Sequence, residues 1–175
     1  MAGRTAVQEF GRFAVGMAVS LAVVWGVLLL VPGSVDLAAI GRIRPQFDLE
    51  PFLRAPSLIQ FHLATVMLAL VLGPIQFVMP KGTPGHRMLG WTWVLAMAAT
   101  AISSLGIRHI NPGGLSPIHF FSFWTLVSLP LAVWLARRGM VRAHRGTMVG
   151  LYIGLVIAGV LSIAPGRLTW EMFFG

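Results

Sequence analysis

Long apolar runs separated by short polar segments dominate this 175-residue chain. Five runs contain no Lys, Arg, Asp or Glu, and each is at least 20 residues long. A helix of about 20 residues, rising 1.5 Å per residue, crosses the ~30 Å hydrocarbon core of a bilayer. The runs are continuously apolar rather than alternating, which excludes a transmembrane β-barrel. The pattern predicts an all-α membrane protein with five transmembrane helices, at about 13–33, 56–79, 86–107, 117–136 and 145–165.

We expect positions 1–175 to form one integral-membrane domain, with an outer loop at 34–55. The first run resembles a signal peptide in its position, but its apolar core is longer than a typical h-region, so we interpret it as an uncleaved helix. Thr83 and Pro84 supply an N-cap and a first-turn proline for the third span. Pro130 lies inside the fourth span, where we expect a kink.

Composition and charge support a membrane protein. Hydrophobic residues make up 57% of the chain and charged residues 10%, against about a quarter charged in a soluble domain. The net charge of +8 comes from basic residues at the edges of the runs, a placement that argues against nucleic acid as a partner. Eight basic residues fall in one set of loops and five in the other, so the positive-inside rule predicts a cytoplasmic N-terminus and a C-terminus on the outer side of the membrane.

The five histidines are the ionisable residues closest to the predicted membrane interior. His62 and His119 lie near the outer ends of the second and fourth spans, whereas His86 and His144 open the third and fifth spans from the inner side. His109 ends the third span on the outer side. Ionisable groups at membrane depth are functional candidates, so the histidines define an outer and an inner layer.

The histidine spacing repeats along the chain. His62 and His86 are 24 residues apart, and His119 and His144 are 25 residues apart. In each pair the second histidine is followed by an arginine. The repeat predicts that spans two to five form two similar hairpins, which together make a four-helix bundle with one histidine on each helix.

Paired imidazoles from facing helices are the axial ligands of a six-coordinate haem iron, and the chain has no cysteine to offer instead. The layout resembles the cytochrome b561 type of membrane electron carrier. That resemblance implies two haem b groups, an outer one on His62 and His119 and an inner one on His86 and His144, with electrons moving between them. His109 is an alternative to His119 as the outer ligand.

Small residues and arginines accompany the histidines. Gly73 and Gly90 lie on the histidine-bearing faces of the second and third spans, where a porphyrin would need room. The arginines next to the histidines are candidates for pairing with haem propionates, namely Arg87 and Arg145 on the inner side and Arg108 and Arg54 on the outer side. The alternative is that these arginines only mark the borders of the membrane.

Several short motifs run from about residue 56 to the C-terminus. They are Phe61-His62-Leu63-Ala64, Leu72-Gly73-Pro74-Ile75-Gln76, His86-Arg87-Met88-Leu89-Gly90-Trp91, His144-Arg145 with Met148, and Pro165-Gly166-Arg167. In these motifs the chain resembles a family of uncharacterised bacterial integral-membrane proteins. That resemblance implies a location in the inner membrane of a bacterium, with the outer-side C-terminus in the periplasm, and no established activity.

Other functions stay open at this point. The chain would also suit a non-haem accessory or assembly subunit of a larger membrane complex, with its histidines in contacts between helices. Transport is weakened because no charged residue lies near the middle of the spans, where ion-coupled carriers usually place one. Gln76 and Tyr152 would suit a quinone headgroup, or else are satisfied structural residues. Motifs of soluble enzymes are missing, so any oxidoreductase chemistry would belong to a cofactor and a redox partner.

Overall fold

The computed structural model describes residues 48–107, 118–163 and 168–174, and helices joined by short turns account for nearly all of them. The first predicted span, positions 34–47 of the predicted outer loop, Arg108 and His109 lie outside the described residues. The described helices are α1 (Glu50–Arg54), α2 (Ser57–Val78), α3 (Pro84–Gly106), α4 (Ile118–Arg137), α5 (Val141–Ser162) and α6 (Leu168–Phe174).

Four of these helices, α2 to α5, are long and apolar enough to cross a membrane. They correspond to the second to fifth predicted spans, and the structure confirms an all-helical protein in its described part. The largest difference in bounds is at α5, which was expected to begin at 145 and begins at Val141. The criterion accepted only positions without charge, so it set the beginning of this span at Arg145. The helix begins earlier, because arginine is a good helix former and its long side chain reaches the bilayer surface.

The chain divides into two compact units. The larger unit is Leu49–Ala158 and contains α1 to α4 and most of α5. In the smaller unit, Met172 of α6 is buried and its carbonyl oxygen accepts a hydrogen bond from the backbone N–H of Asp48 at 2.9 Å. The histidines that the structure describes all lie in the larger unit.

One buried cluster joins α2, α3, α4 and α5 in the larger unit. Its centre is Trp93, which is 2% exposed and donates its indole N–H to Ala69 O at 3.0 Å. Large apolar side chains also lie exposed along the helices, as expected for surfaces in contact with lipid. The cluster consists of Ala69, Leu72, Trp93, Ala96, Met97, Leu129, Leu151, Tyr152 and Leu155.

Two short connections lie at the same end of the larger unit, which we call the turn end. These are residues 79–83, between α2 and α3, and residues 138–140, between α4 and α5. Lys81 in the first connection and Arg145 in the first turns of α5 are close enough for their charges to interact. The helix starts match the sequence expectation at α3, where the Thr83 side chain accepts the His86 N–H at 3.2 Å.

Prolines interrupt two of the long helices. Pro130 lies within α4 as expected, and Pro74 lies within α2. A proline has no N–H, so Pro74 leaves the carbonyl of Leu70, four residues earlier, without its helical donor. Tyr152 of α5 supplies a replacement, since its hydroxyl lies 3.4 Å from Leu70 O. The Tyr152 ring fits there because Gly73 has no side chain, and a Cβ at Gly73 would lie 2.2 Å from Tyr152 Cε2.

Candidate functional site

His62, in the second turn of α2, faces α3. Its Nδ1 lies 3.1 Å from Thr100 O and 3.0 Å from Ser103 Oγ. A carbonyl oxygen can only accept a hydrogen bond, so Nδ1 is the protonated nitrogen and donates. Ser103 is arranged to accept as well, because its own hydroxyl lies 2.7 Å from Ala99 O and donates there. The remaining ring nitrogen, Nε2, is therefore the unprotonated one and carries the ring's lone pair.

His119, at the start of α4, is 2% exposed and belongs to the same end of the larger unit as His62. One turn further along α4, the hydroxyl of Ser122 donates to Ser104 Oγ at 3.0 Å. Ser103 and Ser104 are neighbours on α3, so α3 contacts His62 through one serine and the helix of His119 through the next. The two predicted outer histidines thus lie on helices that both contact one short stretch of α3.

Further hydroxyl groups surround His62. Thr100 Oγ1 donates to Thr65 Oγ1 at 2.9 Å, and Thr65 Oγ1 donates to the backbone oxygen of His62 at 2.8 Å. Polar groups inside a bilayer-spanning bundle carry a cost unless they are hydrogen-bonded. These contacts fix the first two turns of α2 against α3 and hold the His62 ring in one orientation.

His144, in the first turns of α5, is held in the same way as His62. Its Nδ1 lies 2.9 Å from Ala132 O on α4. Nδ1 must again be the donor, because the partner is a carbonyl oxygen, so Nε2 is the unprotonated nitrogen. Two of the four predicted ligands, one in each layer, therefore have the tautomer that metal-ligating histidines take when a backbone carbonyl orients them.

His86, in the first turn of α3, lies at the turn end. His144 and Lys81 are both close enough for their charges to act on it. Its Nδ1 is buried and makes no hydrogen bond to any residue that the structure describes. Its backbone oxygen accepts from the Gln76 side-chain amide at 3.2 Å. The structure thus brings the predicted inner histidines to one end, and Gln76 serves to hold α2 against α3 there.

Lys81 closes the α2–α3 connection. Its ammonium group donates to Gln76 O at 2.7 Å, Phe77 O at 2.9 Å and Met79 O at 2.8 Å, so it caps the carboxyl end of α2. Burial lowers the pKa of Lys81 below its ordinary value, and the nearby positive charge of Arg145 lowers it further. Sequence reasoning did not find Lys81, because its partners are backbone carbonyls of its own turn.

The glycines and arginines predicted around the histidines have varied surroundings. The space at Gly73 is filled by the Tyr152 ring, and the nearest side-chain atom to a Cβ at Gly90 is Gln76 Nε2 at 3.9 Å. Arg87 and Arg145 are exposed beside the inner histidines. Arg54 is also exposed and forms an ion pair with Glu50, one turn earlier in α1.

No three or more His, Cys, Asp or Glu side chains come together as a metal site in the part of the chain that the structure describes. A bare metal ion would need such a group. A haem iron needs only two protein ligands, because the porphyrin supplies four nitrogens. The residues that orient His62 and His144 were missed from the sequence, since the partners include main-chain oxygens of Thr100 and Ala132 that any residue type would provide.

The fold and the site together describe a protein with four helices that are long and apolar enough to cross a membrane, and with histidines near both ends of them. Residues 59–174 match the family described as Predicted membrane protein (DUF2306), and the chain belongs to this family. The expected membership in a family of uncharacterised membrane proteins is therefore confirmed. Comparisons with curated proteins and with solved structures give no match.

Proposed function

We propose that this protein carries electrons across a membrane on two b-type haems, an outer one held by His62 and His119 and an inner one held by His86 and His144. The observation that carries the proposal is the matching state of two imidazoles in different layers. His62 and His144 each present Nδ1 to a backbone carbonyl at 2.9–3.1 Å, which leaves Nε2 available as a ligand. Ligating histidines in proteins are commonly oriented by such a hydrogen bond.

The donor set fits haem better than it fits a bare cation. Neutral imidazole is an ordinary axial ligand of haem iron, and each proposed pair supplies two imidazoles. In the described part of the chain these histidines do not join Asp or Glu side chains in a metal site, and carboxylate oxygens are the ligands that a hard divalent cation prefers. When bound, haem supplies one-electron chemistry through its ferric and ferrous states.

The spacing of the layers matches transfer from one membrane surface to the other. Ser103, which contacts His62, and His86 are 17 positions apart on α3. At 1.5 Å per residue this is about 25 Å, most of the ~30 Å hydrocarbon core. Between the layers lies the buried cluster around Trp93, whose apolar side chains exclude water and keep the path at low dielectric.

The arginines have separate roles in this proposal. Arg87 and Arg145 follow the inner histidines directly and would pair with propionates at the turn end. Arg54 is a weaker candidate on the outer side, because Glu50 already pairs with it, whereas Arg108 lies outside the described residues. The turn end would face the cytoplasm of a bacterial inner membrane, as the excess of basic residues in its loops favours.

Quinone remains a candidate redox partner at the turn end rather than a bound group. The Gln76 side-chain amide donates to His86 O, and the hydroxyl of Tyr152 contacts Leu70 O, so both polar groups already have protein partners. A quinone that reached the inner haem would meet Arg87 and Arg145 first, at the exposed surface.

The ligand pairs are tested by counting haems in four single variants: His62→Ala, His119→Ala, His86→Ala and His144→Ala. Each protein is purified from haem-replete cells and its haem is measured as the pyridine haemochrome against protein. We expect two haems per chain in the unchanged protein and one in each variant. His109→Ala is the matched control and should retain two. Retention of two haems in all four variants would contradict the assigned ligands.

A second candidate function is a haem-free subunit of a larger membrane complex. The observation that favours it is an aromatic stripe on α4, where Phe120 is 65% exposed, Phe123 49% and Trp124 57%. Phe121, on another face, approaches Gly154 of α5. This candidate expects a colourless preparation and loss of co-purifying subunits when the three exposed aromatics are replaced by leucine. Haem-bearing protein that is monomeric in native membranes would exclude it.

A further inference from the structure

Three exposed arginines lie together at the α4–α5 connection, apart from the arginines considered for propionates. Arg137 ends α4, Arg138 follows it, and Arg142 lies in the first turn of α5. We call these three residues the basic turn. They are placed by a rigid connection, because Met140 N–H bonds Leu135 O and Gly139 N–H bonds Ala136 O, at 3.0 and 3.1 Å. This pair of hydrogen bonds is a Schellman motif.

The Schellman motif needs a left-handed residue, and Gly139 provides it with φ of 70°. Because the connection has one defined shape, the three guanidinium groups stay close together instead of spreading on a flexible loop. Arg137 and Arg138 also lie at the carboxyl end of α4, and Arg142 lies at the amino end of α5. The helix dipole therefore favours the first two cations and disfavours the third.

Among the described residues at the turn end, the charged side chains are all cations. Lys81, Arg87 and Arg145 lie there together with the basic turn, which gives six cations in the described part of the chain. The larger unit contains a single carboxylate residue, Glu50, and it pairs with Arg54 at the opposite end of α2. The lowered pKa of Lys81, to which Arg145 contributes, is consistent with cations crowded at this end.

The basic turn lies beside exposed apolar side chains of the kind found at a membrane surface, and we call Trp134, Met140 and Val141 the apolar collar. Trp134 is 49% exposed, Met140 49% and Val141 64%, all next to the arginines. The Arg138 guanidinium lies 5.3 Å from the centre of the Trp134 ring. Tryptophan prefers the level of the lipid headgroups, and arginine stacked on it is held at that same level.

We infer that the basic turn binds the phosphates of anionic phospholipids, with acyl chains against Trp134, Met140 and Val141. An anionic phospholipid accounts for both features, because its phosphate would pair with the guanidinium groups and its acyl chain would pack against the apolar collar. This inference does not depend on haem.

The test uses the absence of cysteine in the chain. A fluorophore on Met140→Cys reports lipids at the basic turn, and one on Leu53→Cys, 68% exposed in α1, reports lipids at the opposite end of α2. Each labelled protein is reconstituted in phosphatidylcholine bilayers with a trace of acceptor-labelled phosphatidylglycerol or phosphatidylcholine. Energy transfer then gives the local concentration of each lipid.

We expect phosphatidylglycerol to be enriched over phosphatidylcholine at Met140→Cys and not at Leu53→Cys. Each arginine that contacts a phosphate contributes about fivefold. Replacing all three arginines with glutamine should remove most of the enrichment, because only the more distant cations Lys81, Arg87 and Arg145 remain, whereas replacing the three with lysine should retain most of it. High salt should weaken it, because screening shortens to about 3 Å at 1 M.

Two results would overturn the inference. One is equal energy transfer from both lipids at Met140→Cys in the protein with its arginines intact. The other is enrichment that is undiminished in the glutamine variant. The lysine variant keeps the positive charge, so retained enrichment there assigns the loss in the glutamine variant to charge, and a helical circular dichroism spectrum of the glutamine variant shows that it has folded.

Discussion

Replacing Ser103 with alanine tests how the outer histidine is held. In the structure His62 Nδ1 shares its proton between Ser103 Oγ at 3.0 Å and Thr100 O at 3.1 Å. Ser103→Ala removes the first acceptor and leaves the second in place. The His62 ring keeps its tautomer, because a carbonyl still accepts from Nδ1, but it gains freedom to rotate away from that oxygen.

The expected loss follows from these two contacts. Removing the partner of a ligating histidine typically lowers metal affinity about 10- to 100-fold. Since Thr100 O remains within hydrogen-bond distance, we expect the lower figure, about a tenfold loss of haem affinity at the outer site, or about 1.4 kcal/mol. The inner site should be unaffected, because Ser103 and His86 are separated by about 25 Å of helix.

The assay is an optical titration of haem into the protein prepared without it, resolved into its two binding steps. Ring ¹⁵N shifts of the unloaded protein report the His62 tautomer independently of haem. Thr92→Ala is the matched control: it removes a hydroxyl of the same helix that donates to Met88 O one turn earlier and contacts neither outer histidine. Equal weakening by Ser103→Ala and Thr92→Ala, or a His62 ring protonated on Nε2 in the unchanged protein, would refute the reasoning.

Three further predictions concern the contact between α2 and α5 and the α2–α3 connection. Gly73→Ala should destabilise the protein by about 1–3 kcal/mol in detergent unfolding, because the new Cβ would lie 2.2 Å from the Tyr152 ring. Gly150→Ala is the control. It should leave stability unchanged or raise it, because no atom of a neighbouring helix that the structure describes lies within 4 Å of the new Cβ. Tyr152→Phe should lower the free energy of unfolding by about 1 kcal/mol, because it removes the hydroxyl that donates to Leu70 O. A variant as stable as the unchanged protein would show that this hydrogen bond does not stabilise the fold. Burial lowers the pKa of Lys81 in the folded protein below its ordinary value of 10.5. Between these two pKa values the unfolded chain binds more protons than the folded protein does, so the free energy of unfolding should rise with pH in this range. Lys81→Met should flatten the rise, and an unchanged slope would show that another group causes it.

The long helices were predictable from the sequence because each apolar run exceeds the length needed to cross a bilayer. The start of α3 was predictable too, since Thr83 is an N-cap residue followed by a proline. The start of α5 was set too late by four residues, at 145 instead of Val141. A criterion based on charge marks where lipid contact ends, whereas a helix continues through Arg142 and Arg145 into the surface region.

The contacts at the candidate site were harder to predict from the sequence than the helices were. The sequence placed four histidines in two layers, and the structure confirms that each lies on its expected helix. The sequence did not indicate that the backbone oxygens of Thr100 and Ala132 would orient two of these histidines, because every residue type has a backbone oxygen. Gly73 was expected to make room for a porphyrin, and the structure fills that space with Tyr152. The cause is Pro74, whose missing N–H leaves a carbonyl that Tyr152 can satisfy.

The central claim is that the histidine pairs hold haem, and the reduced-minus-oxidised visible spectrum of the purified protein tests it most directly. Bis-histidine ligation predicts a sharp α-band of low-spin b-type haem in the reduced protein, with a pyridine haemochrome value of two haems per chain. A folded, helical preparation from haem-replete cells that shows no such band and no bound haem would contradict the account.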